Sequence, residues 1–223
     1  MIRVISDVHG KSEDYLRIIA DSEYSVQVGD MGFDYSYLDN VDYQKNLILL
    51  GNHDNYDTKV HYNHFLGDYG YQVLGGLTFF HMRGAFSIDR VDRLCREASG
   101  DPKQWWHEEE ITPLEGKKCL EMYADIKPDF MLTHAAPRIL IPRIATKGAM
   151  EKFGYTEDYN SFTSILLQSM WALHEPKLWI CGHFHKDHDS TIGDTRFICQ
   201  RELGYVDVDK DLGLHFPLKP EII

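Results

Sequence analysis

Five short runs dominated by apolar residues set the rhythm of the chain. Ile2-Arg3-Val4-Ile5, Ser25-Val26-Gln27-Val28, Asn46-Leu47-Ile48-Leu49-Leu50, Phe130-Met131-Leu132 and Lys177-Leu178-Trp179-Ile180 each read as a β-strand. Helical periodicity fills the spaces between them. Lys11 to Glu23 reads as an amphipathic helix with Leu16, Ile18 and Ile19 facing inward and Ser12 as N-cap. Thr112-Pro113-Leu114-Glu115 has the composition of a helix start, with Thr as cap, Pro first and Glu third, and predicts a helix to about Asp125. Asn160 to His174 predicts another helix, with Phe162, Ile165, Leu166 and Met170 on its apolar face. Thr195 to Gln200 and Tyr205 to Val208 read as short strands that close a second sheet.

Polar residues follow each of the five runs: Asp7-Val8-His9, Gly29-Asp30, Gly51-Asn52-His53-Asp54, His134, and Gly182-His183-Phe184-His185. Strands that end repeatedly in Asp, His and Asn imply that the carboxyl ends of one sheet converge on a metal site, where open α/β sheets place their ligands. Asp7 and His9 lie two apart on a segment read as extended, so both point to one side and can chelate one ion. Asp30 supplies a carboxylate able to bridge two cations. Asn52 supplies a neutral carbonyl oxygen, and His134, His183 and His185 supply imidazole nitrogens. No cysteine belongs to the set. Such nitrogen and oxygen ligation suits Mn²⁺, Fe or Zn²⁺ and is too rich in nitrogen for a dedicated Ca²⁺ site. The groups suffice for two ions sharing one carboxylate, typically ~3.5–4 Å apart in hydrolytic centres.

The ordered series Asp-x-His, Gly-Asp, Gly-Asn-His-Asp, a later His and Gly-His-x-His resembles the signature of the calcineurin-like metallophosphoesterase superfamily, and it runs from Asp7 to His185. The resemblance implies an α/β fold of two mixed β-sheets sandwiched between helical layers, here a single domain over residues 1–223. It implies two divalent metal ions, Mn²⁺ by preference with Fe or Zn²⁺ as alternatives. Asp7, His9 and His185 would hold one, Asn52, His134 and His183 the other, and Asp30 would bridge. His53 matches the family's non-ligand histidine, which meets the phosphoryl group and protonates the leaving oxygen. Asp54 would accept a hydrogen bond from His53 and fix its tautomer. A metal-bound hydroxide would attack phosphorus in line.

Each motif taken singly has a plainer reading. Asp-Val-His-Gly is a common polar turn after a strand, Gly29-Asp30 a common strand-to-loop junction, and Gly-Asn-His-Asp ordinary turn chemistry. His134 alone reads as a satisfied buried histidine. Only the ordered set carries the metal reading. Of the remaining histidines, His61 and His64 read as surface residues of a helix, His81 as half-buried in a strand after Leu77-Thr78-Phe79-Phe80, and His188 at most as a residue of the site rim.

Composition narrows the class. The chain has 223 residues, enough for one domain with a substantial core, and 43% apolar residues, ordinary for a globular protein. A formal charge of −12 and no basic stripe argue against a grip on long duplex nucleic acid. There is no apolar run of membrane-spanning length. Met1 leads directly into the first strand, which fits neither a signal peptide nor a transit segment. Cys95, Cys119, Cys181 and Cys199 form no Cys-x-x-Cys pair, so a reducing cytoplasm is the simplest setting. Oligomeric state is open.

Three stretches lie outside the signature, and substrate choice is expected there. Arg83 to Glu110, with Trp105-Trp106-His107, reads as an irregular loop over the metal mouth. In it Arg83 and Arg90 are candidates to bind substrate phosphate. The competing reading packs the tryptophans down and pairs the arginines with Asp89, Asp92 or Glu97. Within Ala135 to Tyr159, the segment Arg138 to Lys152 lacks clear periodicity and is placed at the pocket border, with its charges solvated. Met31 to Asn40 offers Phe33, Tyr35 and Tyr37 as an apolar wall or, in the plainer reading, as packing. Protein Ser/Thr phosphatases of the superfamily follow Gly-Asp with Asp-Arg-Gly and use Gly-Asn-His-Glu. Here Gly29-Asp30 continues Met31-Gly32-Phe33-Asp34-Tyr35 and the third cluster ends in Asp54. The chain is also too short for the capping domain of the double-strand-break nucleases. The expected function is therefore hydrolysis of a small phosphodiester, nucleotide or phosphorylated metabolite. The alternatives are a protein phosphatase and a catalytically decayed scaffold of the same fold.

Overall fold

The computed structural model describes residues 1–155 and 161–217. The first half of the chain forms β1 (Ile2–Ile5), α1 (Ser12–Ile19), β2 (Ser25–Val28), β3 (Asn46–Leu49), β4 (Tyr69–Leu74), β5 (Leu77–Met82) and α2 (Arg90–Ala98). The second half forms α3 (Pro113–Ile126), β6 (Phe130–Thr133), α4 (Ile141–Ile144), α5 (Lys147–Lys152), α6 (Phe162–Leu173), β7 (Leu178–Cys181), β8 (His188–Ile192), β9 (Thr195–Cys199), β10 (Tyr205–Val208) and β11 (Leu214–His215).

The strands build two mixed sheets, in the orders β11-β10-β1-β2-β3 and β4-β5-β6-β7-β9-β8. Within the first, β1, β2 and β3 are parallel, and β10 runs antiparallel to both its neighbours, β1 and β11. Within the second, β5, β6, β7 and β9 are parallel, and β4 and β8 are antiparallel edges. Strand alternation sends one set of side chains between the sheets: Ile2, Val4, Val26 and Val28 meet Phe79, Phe130, Leu132, Ile180 and Ile198. The opposite faces are covered as well. Met131, Trp179, Cys181 and Phe197 pack under Cys119 and Tyr123 of α3 and Leu167 and Met170 of α6. Ile5 and Ile48 pack with Tyr15 of α1. Strands buried on both faces need continuous apolar runs, which is why these were visible in the sequence. The layers are helix, sheet, sheet, helix, as expected.

Several local expectations are corrected. β9 and β10 do not close one sheet: β9 joins β7, whereas β10 crosses to pair with β1 from Ile2↔Val208 to Ile5↔Tyr205. Lys11, not Ser12, occupies the N-cap of α1, and the helix buries Tyr15 more fully than Leu16, Ile18 or Ile19. Ser161 caps α6 through the Ser164 N–H at 3.1 Å. Leu166 and Met170 of α6 are buried, but Phe162 and Ile165 are exposed. The helix start expected at Asn160 lies outside the described residues. His64 is buried, not on the surface, and its Nε2 lies 2.9 Å from the Val41 carbonyl oxygen. His81 is likewise fully buried, on β5. The Thr112–Glu115 capping box is present as read: the Glu115 N–H donates to Thr112 Oγ1 and the Thr112 N–H donates to the Glu115 carboxylate.

These two kinds of contact differ in weight. Leu132→Ala, opening a cavity between the sheets, is expected to cost about 2–5 kcal/mol. Thr112→Ala, removing one cap, is expected to cost about 1 kcal/mol. Urea unfolding followed by circular dichroism measures both, and equal losses would contradict this ranking of core over cap.

Candidate metal centre

The carboxyl ends of β1, β2 and β3 in one sheet and of β6 and β7 in the other meet at one place. The donors were expected from a single sheet. They come from both, because the clusters in the sequence carry no mark of which sheet their strand joins. Asp7, His9, Asp30 and His185 bring ligand atoms within 4.8 Å of one another, and Asp30, His134 and His183 do the same. Asp30 belongs to both groups. Asn52 joins the second, its Oδ1 lying 3.2 Å from His134 Nε2.

The backbone reaches this geometry by an unusual route. Asp7, His9, Asp30, His183 and His185 all have positive φ, between 47° and 69°. Asp7 and His9 are therefore not on an extended segment. β1 ends at Ile5, and the left-handed turns beyond it bring both side chains to the site. Non-glycine residues adopt this region at a cost, and such residues cluster at functional sites.

Hydrogen bonds then fix the donors. The His183 N–H donates to Asp7 Oδ1 at 3.1 Å, and the His53 N–H donates to Asp30 Oδ1 at 2.7 Å. His134 Nδ1 lies 2.8 Å from the Val28 carbonyl oxygen and must donate there, which leaves Nε2 as its ligand atom, 3.1 Å from Asp30 Oδ1. The Asn52 amide donates through Nδ2 to Ser87 Oγ at 3.0 Å, and Ser87 donates to Glu109. This chain turns the Asn52 oxygen towards His134. His9 Nε2 and His185 Nε2 are 2.9 Å apart and lie 3.9 and 3.3 Å from Asp7 Oδ1.

The electrostatics match a cation site. Burial alone would raise the Asp30 carboxyl, but His134 and then His53 outweigh it and hold it well below the usual carboxylate range. Burial alone would lower His134, but Asp30 outweighs it and pushes this imidazole up to about 9, so that a proton on Nε2 stands where a cation would replace it. Burial, then the charge of His134, drives His183 well below the usual imidazole range, so it stays neutral and able to ligate. Two buried carboxylates, four imidazoles and an amide oxygen, with no thiolate, make a set that fits hard or borderline divalent cations.

The glycines of the motifs now have a reason. A Cβ at Gly51 would strike Asp30 Oδ1 and lie 2.7 Å from His134 Nε2, and a Cβ at Gly182 would strike Ser6 Oγ and the Asp7 carboxylate. Neither glycine has positive φ. Their backbones would accept alanine; the ligand space would not.

His53 and Asp54 behave differently from expectation. Asp54 makes no hydrogen bond to His53. Its carboxylate accepts from the N–H groups of Asp30 and Met31 at 2.9 Å and of Gly51 at 2.6 Å, and from Tyr35 Oη at 3.2 Å. It ties the loop after β2 to the loop after β3, and it points into the fold because three backbone donors converge there. The partner of His53 is Arg93, whose Nη2 lies 2.6 Å from His53 Nε2. Arg93 is 2% exposed, donates to the Asn52 carbonyl oxygen at 2.9 Å, and pairs with Asp89 at 2.8 Å and Glu109 at 3.3 Å. Sequence reasoning missed it. The available signal was the Asp89–Arg93 spacing of four at the start of α2.

Arg83 and Arg90 are not at the cavity. Arg83 is buried against Asp68 and the Glu108 carbonyl, with its guanidinium over Tyr56. Arg90 lies over the Trp105 ring at 4.2 Å. The 83–110 stretch is not an irregular loop, since it contains α2 and packs Trp106 beside Leu50 and Tyr56. Tyr35 is core, as the plainer reading had it. The cavity is bordered instead by Ile88 and Asp89 and by residues 145–153, so the 138–152 segment is a border as expected, although it is not without regular structure, since it contains α4 and α5. His188 is not among the described lining residues.

Substitution of the close-approach glycines tests the assignment of ligand space. Gly51→Ala and Gly182→Ala are expected to fold, by circular dichroism, while binding Mn²⁺ at least tenfold more weakly in calorimetric titration. Wild-type affinity in both would remove these donors from the site.

No helix of the described residues is long and apolar enough to cross a membrane. The chain is similar to a candidate 5′-nucleotidase from Staphylococcus aureus solved with α-ketoglutarate, at TM-score 0.51 and 14% identity, over 97% of this chain and 52% of that one, so it spans about half that protein's length. It is also similar to a predicted phosphoesterase of Streptococcus pneumoniae (TM-score 0.43, 12% identity, 92% of this chain and 79% of that one). An archaeal phosphodiesterase gives TM-score 0.42 and 11% identity over 96% of both chains. No curated protein matches. The profile of the calcineurin-like phosphoesterases matches residues 1–187. The chain belongs to the calcineurin-like phosphoesterase family and is a hydrolase of phosphoric esters.

Proposed function

We propose that the chain hydrolyses a small phosphodiester, nucleotide or phosphorylated metabolite at a centre of two divalent cations, Mn²⁺ by preference and Fe or Zn²⁺ as alternatives. Asp7, His9 and His185 hold one cation, Asn52, His134 and His183 the other, and Asp30 lies between. The observation that carries this reading is the sharing of Asp30 by two convergent donor groups that open on a cavity of about 380 Å³. Bound cations supply Lewis acidity and lower the pKa of water for in-line attack on phosphorus.

The chain's own residues supply position. Glu109 and Ser87 orient the Asn52 amide, and Val28 fixes the His134 tautomer. Arg93 can only donate, so His53 Nε2 accepts and the ring proton resides on Nδ1. His53 lines the cavity, and its Nδ1–H is placed to donate a hydrogen bond to the phosphoryl group or the leaving oxygen, stabilising developing charge there. Asp54 holds the two loops that carry Asp30 and Asn52 and acts as a positioning residue. The reading treats residues 1–223 as one domain. It is supported by the pairing of β10, beyond the family match, with β1. A cytoplasmic setting is supported by four free thiols.

The test is hydrolysis of bis(p-nitrophenyl) phosphate beside p-nitrophenyl phosphate, with Mn²⁺ restored to chelator-stripped protein. Turnover is expected to vanish with the chelator and return with the metal. Asp30→Asn is expected to lower bound metal. His53→Ala is expected to keep metal near wild type yet lose about 10²–10⁴ in kcat. Equal metal loss in both variants would contradict the separate roles.

A further inference from the structure

The cavity over the donor set is of small-molecule size, and its walls differ in chemistry. One wall is the donor set itself. The other is apolar, made by Ile88, Ala145, Ala149, Met150, Phe153 and Phe184, with the Thr146 hydroxyl beside them. Met150 lies on α5 and Phe153 directly follows it. Edge-on contact of Tyr155 with Phe86, at 5.5 Å between ring centroids, joins the end of this segment to the stretch leading into α2. Among the described residues no Lys or Arg lines the cavity, and the rim carboxylate, Asp89, is already paired with Arg93 at 2.8 Å. Lys152 lies near, its Nζ 5.1 Å from the centroid of the Phe153 ring.

A phosphoryl group at the donor set puts its organic arm against that apolar wall. An alkyl or aryl arm buries surface there. A second phosphate or a carboxylate would be desolvated without a lining cation to receive it. Building on the phosphoesterase reading above, we infer that the substrate is a phosphoester with a single phosphoryl group and an apolar arm, selected by Met150 and Phe153. Polyphosphates and phosphorylated metabolites with further anionic groups fall outside this class.

The inference is tested by p-nitrophenyl phosphodiesters of Mn²⁺-loaded protein in which the second arm is methyl, hexyl or 5-carboxypentyl. Calorimetric binding of methylphosphonate and hexylphosphonate gives a readout independent of turnover. The hexyl ester is expected to exceed the methyl ester in kcat/KM by about tenfold or more, with the carboxypentyl ester falling back to the methyl level. Hexylphosphonate is expected to bind about tenfold more tightly than methylphosphonate. Met150→Ser and Phe153→Ser should bring both ratios towards one, while Lys152→Ala leaves them unchanged. Equal values for methyl and hexyl in both assays would overturn the inference. Preference for the carboxypentyl ester, lost in Lys152→Ala, would overturn it too and make Lys152 the recognition residue. Preferential hexylphosphonate binding without turnover of any of these diesters or of p-nitrophenyl phosphate would support the apolar arm and sink the hydrolytic reading instead.

Discussion

Two carboxylates, Asp7 and Asp30, are buried where the strand ends of both sheets meet. Taking an ionised carboxylate out of water costs several kcal/mol unless charge and hydrogen bonds answer it. Backbone N–H groups of His183 and His53 meet the two carboxylates, and imidazoles crowd the remaining space. Donors from a single strand end do not suffice. Five strand ends must arrive together, and the two-sheet architecture is what brings them.

That demand appears as strain in the backbone. Among the described residues, eight non-glycine positions have positive φ, and five of them are donors of the centre. The interior around them is tightly determined: apolar packing between the sheets fixes β1, β2, β6 and β7, and the donors follow within a few residues. The stability of the layers holds the loops in conformations they would not adopt alone.

The fold and the donors were legible for one reason: apolar run and polar cluster are contiguous, so a local reading finds both. What escaped was non-local or inverted. Sheet membership of β9 and β10 depends on a crossover that neither strand encodes. α2 hides because its buried residue is Arg93, while Val91 is 66% and Leu94 37% exposed, so no apolar stripe marks it. Arg83 and Arg90 look equally available in the sequence, yet one is neutralised by Asp68 and the other spent on Trp105. The hairpin of β4 and β5 had a local signal, Gly75-Gly76 with φ of 55° and 80°, that went unread. Asp54 shows the limit of motif reasoning, since its place beside His53 in sequence says nothing of where its side chain turns.

The segment after the last histidine motif shapes the centre from behind. The Ser6 N–H donates to the Gly204 carbonyl at 3.0 Å, and the Leu203 N–H returns to the carbonyls of Ser6 and Asp7 at 3.0 and 3.2 Å. The turn between β9 and β10 thus clasps the loop that presents Asp7, although it lies beyond the residues by which the family is recognised. A change in that turn leaves every signature residue in place and still moves the loop that presents Asp7. Metal affinity and selectivity in this fold can therefore be altered without touching a ligand.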